Sequence, residues 1–61
     1  MKNYVKALRL KQGITQQELA KAVEVSRQTI ITVEKNECVP SLKLAMDLAK
    51  YFKIPVEQIF C

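Results

Sequence analysis

The sequence has no histidine and no tryptophan, one glycine, two prolines and two cysteines among 61 residues. Each scarcity excludes something. Without histidine there is no side chain whose ordinary pKa suits proton transfer near neutral pH, and no Ser or Cys has a base at a suggestive spacing. A single glycine leaves no glycine-rich loop to cradle a nucleotide phosphate. Catalysis has no foothold, and the chain is expected not to be an enzyme.

Cys38 and Cys61 lie far apart and form no CxxC, so with no histidine they cannot build a four-ligand Cys/His zinc site within one chain. No metal and no cofactor is expected. Reduced thiols in a cytosolic protein are the plain reading; a redox switch, or a Cys61 to Cys61 bridge in a dimer, are the alternatives. The apolar residues are scattered, with no run of the ~18 needed to span a bilayer. Met1 to Leu10 alternates basic with apolar residues, unlike a secretory signal. A cytoplasmic location with no membrane partner is expected.

What is present is a 49% hydrophobic share and ten Lys or Arg against six Asp or Glu, a formal charge of +4. A chain of this length is expected to form one domain over residues 1–61, burying about 60% of the surface its unfolded form exposes. The charge favours polyanions over neutral partners, but only its placement is informative.

No alternating apolar and polar segment bounded by turn residues reads as a strand, so the expected fold is all-α. A first helix is predicted from about Asn3 to Gln12, with Val5 and Leu8 on one face and Lys2, Lys6, Arg9 and Lys11 around it. Gly13 can end it in the left-handed C′ conformation. A second opens at Thr15, which with Glu18 can form a capping box, and Leu19 and Ala20 point inward. Val23-Glu24-Val25 interrupts it, and Ser26 is a good N-cap for a third helix running to about Lys35.

So short a connection forces a steep crossing, with Leu19, Val25, Ile30 and Val33 meeting in the crook. Pro40-Ser41 begins a fourth helix, whose apolar face is read as Leu42, Ala45, Leu48, Ala49 and Phe52. Pro55 suits the first turn of a short fifth helix through Phe60.

Three stretches are distinctive: Thr15-Gln-Gln-Glu-Leu-Ala, Val25-Ser-Arg-Gln-Thr-Ile, and Val33-Glu-Lys-Asn followed by Pro40-Ser-Leu. Together they resemble the Cro/cI-like (XRE-type) helix-turn-helix family of bacterial and phage regulators, from about Tyr4 to Phe60. The resemblance implies a five-helix, lambda-repressor-like DNA-binding domain with its helix-turn-helix at helices 2 and 3. It also implies a transcriptional regulator, most simply a repressor, acting as a homodimer on a palindromic operator.

The residues supply a physical reason. The major groove of B-DNA, about 12 Å wide, admits one α-helix whose outer face is polar and whose inner face is anchored. On the third helix Ile30 and Val33 are the anchors, while Arg27, Gln28, Ile31 and Thr32 lie on the outer and leading surface. Arg can donate bidentately to guanine, Gln can pair with the Hoogsteen edge of adenine, and an exposed Ile31 can pack on a thymine methyl. Gln28 is the foremost candidate base contact.

By resemblance, Gln16 contacts a phosphate and braces the recognition helix, with Gln17 also reaching the backbone. Phosphate there is favoured by the unpaired amides and the dipole of the second helix. Ser26, Arg27, Gln28, Thr29, Ile31 and Thr32 fall on recognition-helix positions, and Lys35 and Asn36 where the next loop meets the opposite strand. Arg9 and Glu34 match a structural ion pair. Lys2, Lys6 and Lys11 are read as solvated charges giving general attraction.

Two departures stand out. Glu24 replaces the glycine usual in the turn, so either a non-glycine residue takes a left-handed conformation at about 1 kcal/mol or the turn differs. Asn36-Glu37-Cys38 replaces a loop that often carries Gly and Lys, and Glu37 is expected to weaken its grip on the DNA backbone.

Finally, Leu44, Tyr51, Ile54, Val56, Ile59 and Phe60 are more apolar residues than one small core readily absorbs. They are read as a two-fold interface of the fourth and fifth helices, which would set two recognition helices about one DNA turn, roughly 34 Å, apart. The rival reading is an antitoxin-like or other protein-interaction module whose apolar C-terminal surface and Glu37 engage a protein partner.

Overall fold

A computed structural model describes residues 3–37 and 39–60. Five helices follow in order: α1 (Val5–Gln12), α2 (Gln16–Ala22), α3 (Arg27–Glu34), α4 (Leu42–Phe52) and α5 (Val56–Ile59). Among the described residues there is no strand, and the single isolated bridge pairs Asn3 with Phe60 in antiparallel sense. The architecture is the all-α, five-helix one expected.

Local chemistry sets most of the boundaries. Thr15 and Glu18 form the reciprocal capping box, the Thr15 Oγ1 accepting from the Glu18 amide at 3.0 Å and the Glu18 Oε1 from the Thr15 amide at 2.9 Å. Ser26 and Ser41 each accept from the backbone amide three residues on, that of Thr29 and of Leu44. Gly13 ends α1 at φ 70°.

Helix α1 starts two residues later than its sequence pattern indicates. The Asn3 Oδ1 accepts from the Val5 amide at 3.1 Å, while Tyr4 donates its backbone N–H to the Ile59 carbonyl at 2.9 Å. The first described residues are therefore recruited to α5 before the chain turns into α1. Pro55 stands one position outside α5, as its N-cap.

Three helices end through non-glycine residues in the left-handed region: Glu24, Asn36 and Lys53, each at φ 59°. The turn between α2 and α3 thus keeps a left-handed backbone despite Glu24. Lys53→Gly is expected to raise stability by up to about 1 kcal/mol, since glycine relieves the left-handed strain but adds freedom to the unfolded chain. The converse Gly13→Ala meets no atom within 4 Å of the added Cβ, so its expected loss of about 1 kcal/mol is purely torsional. Paired urea titrations would check both signs.

Each helix sends at least one fully buried side chain to a common core: Val5, Leu19, Ile30 and Val33, Leu48, and Ile59. Helix α2 packs chiefly on α3, and α4 on α5. The apolar face of α4 differs from its expected reading. Leu44, Ala45, Leu48 and Phe52 are buried, whereas Leu42 is 76% exposed. At about 100° per residue, Leu42 falls roughly 120° from Leu48, and the core takes Leu44 instead.

That choice corrects the expected dimer surface. Leu44 and Ile59 are buried inside the protomer and cannot also face a second copy. Tyr51, Ile54 and Phe60 pack against the core while staying partly accessible, and Val56 is half-buried. Among the described residues, no helix is long and apolar enough to cross a membrane.

Candidate nucleic-acid interface

Helix α3 divides its residues between an anchored side and an open one. Ile30 and Val33 are buried, fixing one side against the core. On the other side Arg27 and Gln28 are exposed, and neither side chain has a hydrogen-bond or ion-pair partner among the described residues. All five guanidinium donors of Arg27 and both faces of the Gln28 amide are therefore available to a ligand.

The remaining α3 positions are more constrained than their spacing implies. The Ser26 hydroxyl caps the helix and lies 2.9 Å from the Thr29 hydroxyl, and the Thr32 hydroxyl donates to the Thr29 carbonyl at 3.0 Å. Ile31 and Thr32 are half-buried, not fully exposed. The unencumbered polar surface is concentrated in the first turn, at Arg27 and Gln28.

The far end of α3 is clamped by a buried charge cluster. Arg9 donates Nε to Glu34 Oε2 at 2.7 Å and Nη2 to Oε1 at 3.3 Å, with both side chains under one-tenth exposed. Its Nη1 donates to the Ile14 carbonyl at 3.0 Å, and Gln16 Nε2 donates to Glu34 Oε1 at 3.0 Å. Helices α1, α2 and α3 thus meet at one carboxylate, and among the described residues no buried polar side-chain atom lacks a partner. Gln16 is joined to α3 directly; its second Nε2 hydrogen and its amide oxygen remain available.

A contrast is provided by Lys43 and Asp47, an i,i+4 pair at 2.9 Å on the outer face of α4. The hydrogen bond and charge of Asp47 raise the Lys43 pKa above its ordinary value, but at such an exposed site the pair adds little to stability.

Between α1 and the start of α2 and α3 lies an open depression of about 630 Å³, lined in part by Lys6, Leu10, Gln16, Gln17 and Arg27. It contains no carboxylate, and Lys6 and Arg27 carry no ion pair among the described residues. The unpaired Lys6 and Arg27, the Glu34-bound Arg9 and two glutamine amides on one concave surface form an electropositive seat. Lys6, read from sequence as one more solvated charge, belongs to this surface. Its spacing from Arg9, one turn along α1, was the available signal.

Beyond α3, Lys35 and Asn36 are exposed, as is Glu37. The Asn36 Oδ1 accepts from Asn3 Nδ2 at 2.7 Å, and the same nitrogen donates to the Val33 carbonyl at 2.8 Å. Sequence reasoning did not single out Asn3, which is 33 residues away from the loop it holds. Cys38 and Cys61 lie outside the described residues, so the alternatives for their thiols gain no geometry here.

The comparisons with known proteins agree with this geometry. Residues 5–59 match the helix-turn-helix family model. The chain is 52% identical over 60 residues to an uncharacterized HTH-type transcriptional regulator of Methanocaldococcus jannaschii, covering 98% of this chain and 91% of that protein. It is 45% identical over 60 residues to an uncharacterized HTH-type transcriptional regulator of Bacillus subtilis, with the same coverage. A third, from Archaeoglobus fulgidus, is 47% identical over 60 residues, 98% of this chain and 84% of that one. The match runs from the first turn of α1 to the end of α5, and on it the chain belongs to the helix-turn-helix family of DNA-binding transcriptional regulators.

Proposed function

We propose that this protein is a sequence-specific, double-stranded-DNA-binding regulator that inserts α3 into the major groove and represses transcription by occupying its operator. The observation that carries the reading is the free pair Arg27 and Gln28 at the leading end of a helix whose opposite side is buried. Arg27 reads guanine and Gln28 adenine, and Ile31 and Thr32 make the shorter contacts behind them. Gln16, Gln17 and Lys6 hold backbone phosphate on one side of the groove, and Lys35 and Asn36 do so on the other. Ser26 and Thr29 keep the first turn of α3 in shape. No chemistry on the DNA is proposed, and the protein acts in the cytoplasm as a binder and not an enzyme.

The protein acts as a homodimer on a palindromic operator, with Tyr51, Ile54, Val56 and Phe60 supplying the apolar part of the contact. Support comes from their partial exposure at the α4 and α5 end of the molecule.

Two measurements test this. Fluorescence-anisotropy titrations of duplex DNA at 50–200 mM salt are expected to give a log-log slope near −0.9 per phosphate neutralised, and Lys6→Gln is expected to lower its magnitude by about 0.9. Sedimentation equilibrium is expected to show a dimer that Phe60→Asp dissociates. Salt-independent binding, or a monomer bound to a single half-site, would contradict the respective claim.

A further inference from the structure

The Asn3 side chain hydrogen-bonds to the start of α1, the end of α3 and the loop beyond it. Its Oδ1 faces the Val5 N–H, and its Nδ2 uses one hydrogen on the Val33 carbonyl and one on the Asn36 Oδ1. With an N–H on one side and oxygens on the other, the orientation of this amide is determined by its partners. Its backbone is held as well, by the bridge to Phe60 and the Tyr4 to Ile59 hydrogen bond.

The consequence falls on Asn36. This residue sits at φ 59° immediately after α3, its own N–H donating to the Val33 carbonyl at 3.1 Å. Because Asn3 occupies the Asn36 oxygen, the Asn36 Nδ2 is left as the donor end of an exposed side chain. An amide with its oxygen satisfied presents two N–H groups, the polarity that a phosphate oxygen requires.

We infer that Asn3 is a positioning residue for DNA binding, setting the polarity of the Asn36 amide so that its NH₂ group donates to backbone phosphate. The inference rests on the DNA-binding reading above. It supplies a donor in a loop where Glu37 would otherwise repel the backbone. It also links the α5 end, through Phe60 and Asn3, to the segment that follows the recognition helix.

Asn3→Asp is the discriminating substitution. It keeps an acceptor for the Val5 N–H but replaces the donor with a second oxygen, which faces the Val33 carbonyl and attracts the Asn36 NH₂ away from the DNA. Affinity for a duplex operator, or for a generic duplex if no operator is known, is measured for the native chain, Asn3→Asp, Asn36→Ala and the double variant. In the native background Asn36→Ala is expected to weaken binding about tenfold, the order of a hydrogen bond to a charged group. In the Asn3→Asp background the same change is expected to cost less than about twofold, so the cycle is non-additive.

Asn3→Ala, which removes the donors without adding charge, is expected to shrink the Asn36→Ala effect in the same way. It also replaces Asn3→Asp in the cycle should that variant be unfolded by circular dichroism. An additive cycle, with Asn36→Ala equally costly in every background, would overturn the inference and leave Asn3 a staple of the fold. Absence of DNA binding by the native chain would instead overturn the DNA-binding reading, and this inference with it.

Discussion

Glu34→Ala is expected to abolish the folded state at ambient temperature or bring it close to doing so. The Glu34 carboxylate accepts from Arg9 twice and from Gln16 once, and the Arg9 side chain is 9% exposed. Removing the carboxylate strands a largely buried guanidinium that cannot lose its proton, a cost of about 3–5 kcal/mol. Domains hold roughly 0.05–0.15 kcal/mol per residue, or about 3–9 kcal/mol for a chain of this length, so the loss is comparable with the total.

The expectation separates breaking the pair from removing it. The double variant Arg9→Met, Glu34→Leu eliminates both charges, and its destabilisation is expected to be smaller than that of Glu34→Ala alone, because no stranded ion remains. Salt between 50 mM and 500 mM is expected to change the native stability little on account of this pair, since buried charges are poorly screened. Urea unfolding monitored by circular dichroism measures all three. A loss below about 1 kcal/mol for Glu34→Ala would mean that the cluster is solvated like a surface pair.

The second large effect contrasts two neighbours. Ile30→Ala is expected to destabilise by about 2–5 kcal/mol, because Ile30 is fully buried and its loss opens a cavity beside the core. Ile31, one position on and half-buried, projects about 100° away around the helix. Its replacement by alanine is expected to cost about 1 kcal/mol or less in stability while weakening operator binding through the lost apolar contact. The same urea titrations, with anisotropy on the folded variants, decide. Equal destabilisation by the two would mean that α3 is rotated from the orientation described.

Much of this fold is legible in short-range chemistry. Thr15 with Glu18, Ser26, Ser41 and Gly13 each announce a helix end through hydrogen bonds spanning three to five residues, and each does so in the structure. The Arg9 to Glu34 pair, 25 residues apart, became readable only through resemblance to a family, because nothing local to either residue requires the other.

The readings that changed share a different cause. Leu42 and Leu44 are equally apolar and two residues apart, and periodicity alone did not decide which one the core would take. The decision belongs to the packing of α4 against α5 and the rest of the core. For the same reason apolar composition overcounted the residues left for a partner surface, since Leu44 and Ile59 fill the protomer's own interior. Asn3 and Lys6 were missed because their roles are tertiary: one touches a loop 33 residues on, and the other borders a depression formed by three helices.

Selection of duplex DNA sequences from a random pool, by the purified protein at about physiological salt and in parallel with Arg27→Ala and Gln28→Ala, decides whether α3 reads DNA. An inverted repeat with half-site centres about one helical turn, 10–10.5 base pairs, apart is expected. Each variant is expected to relax the preference at a different base while still folding. Enrichment of no sequence by a folded protein, or a preference unchanged in both variants, would contradict the assignment of α3 as the element that reads DNA.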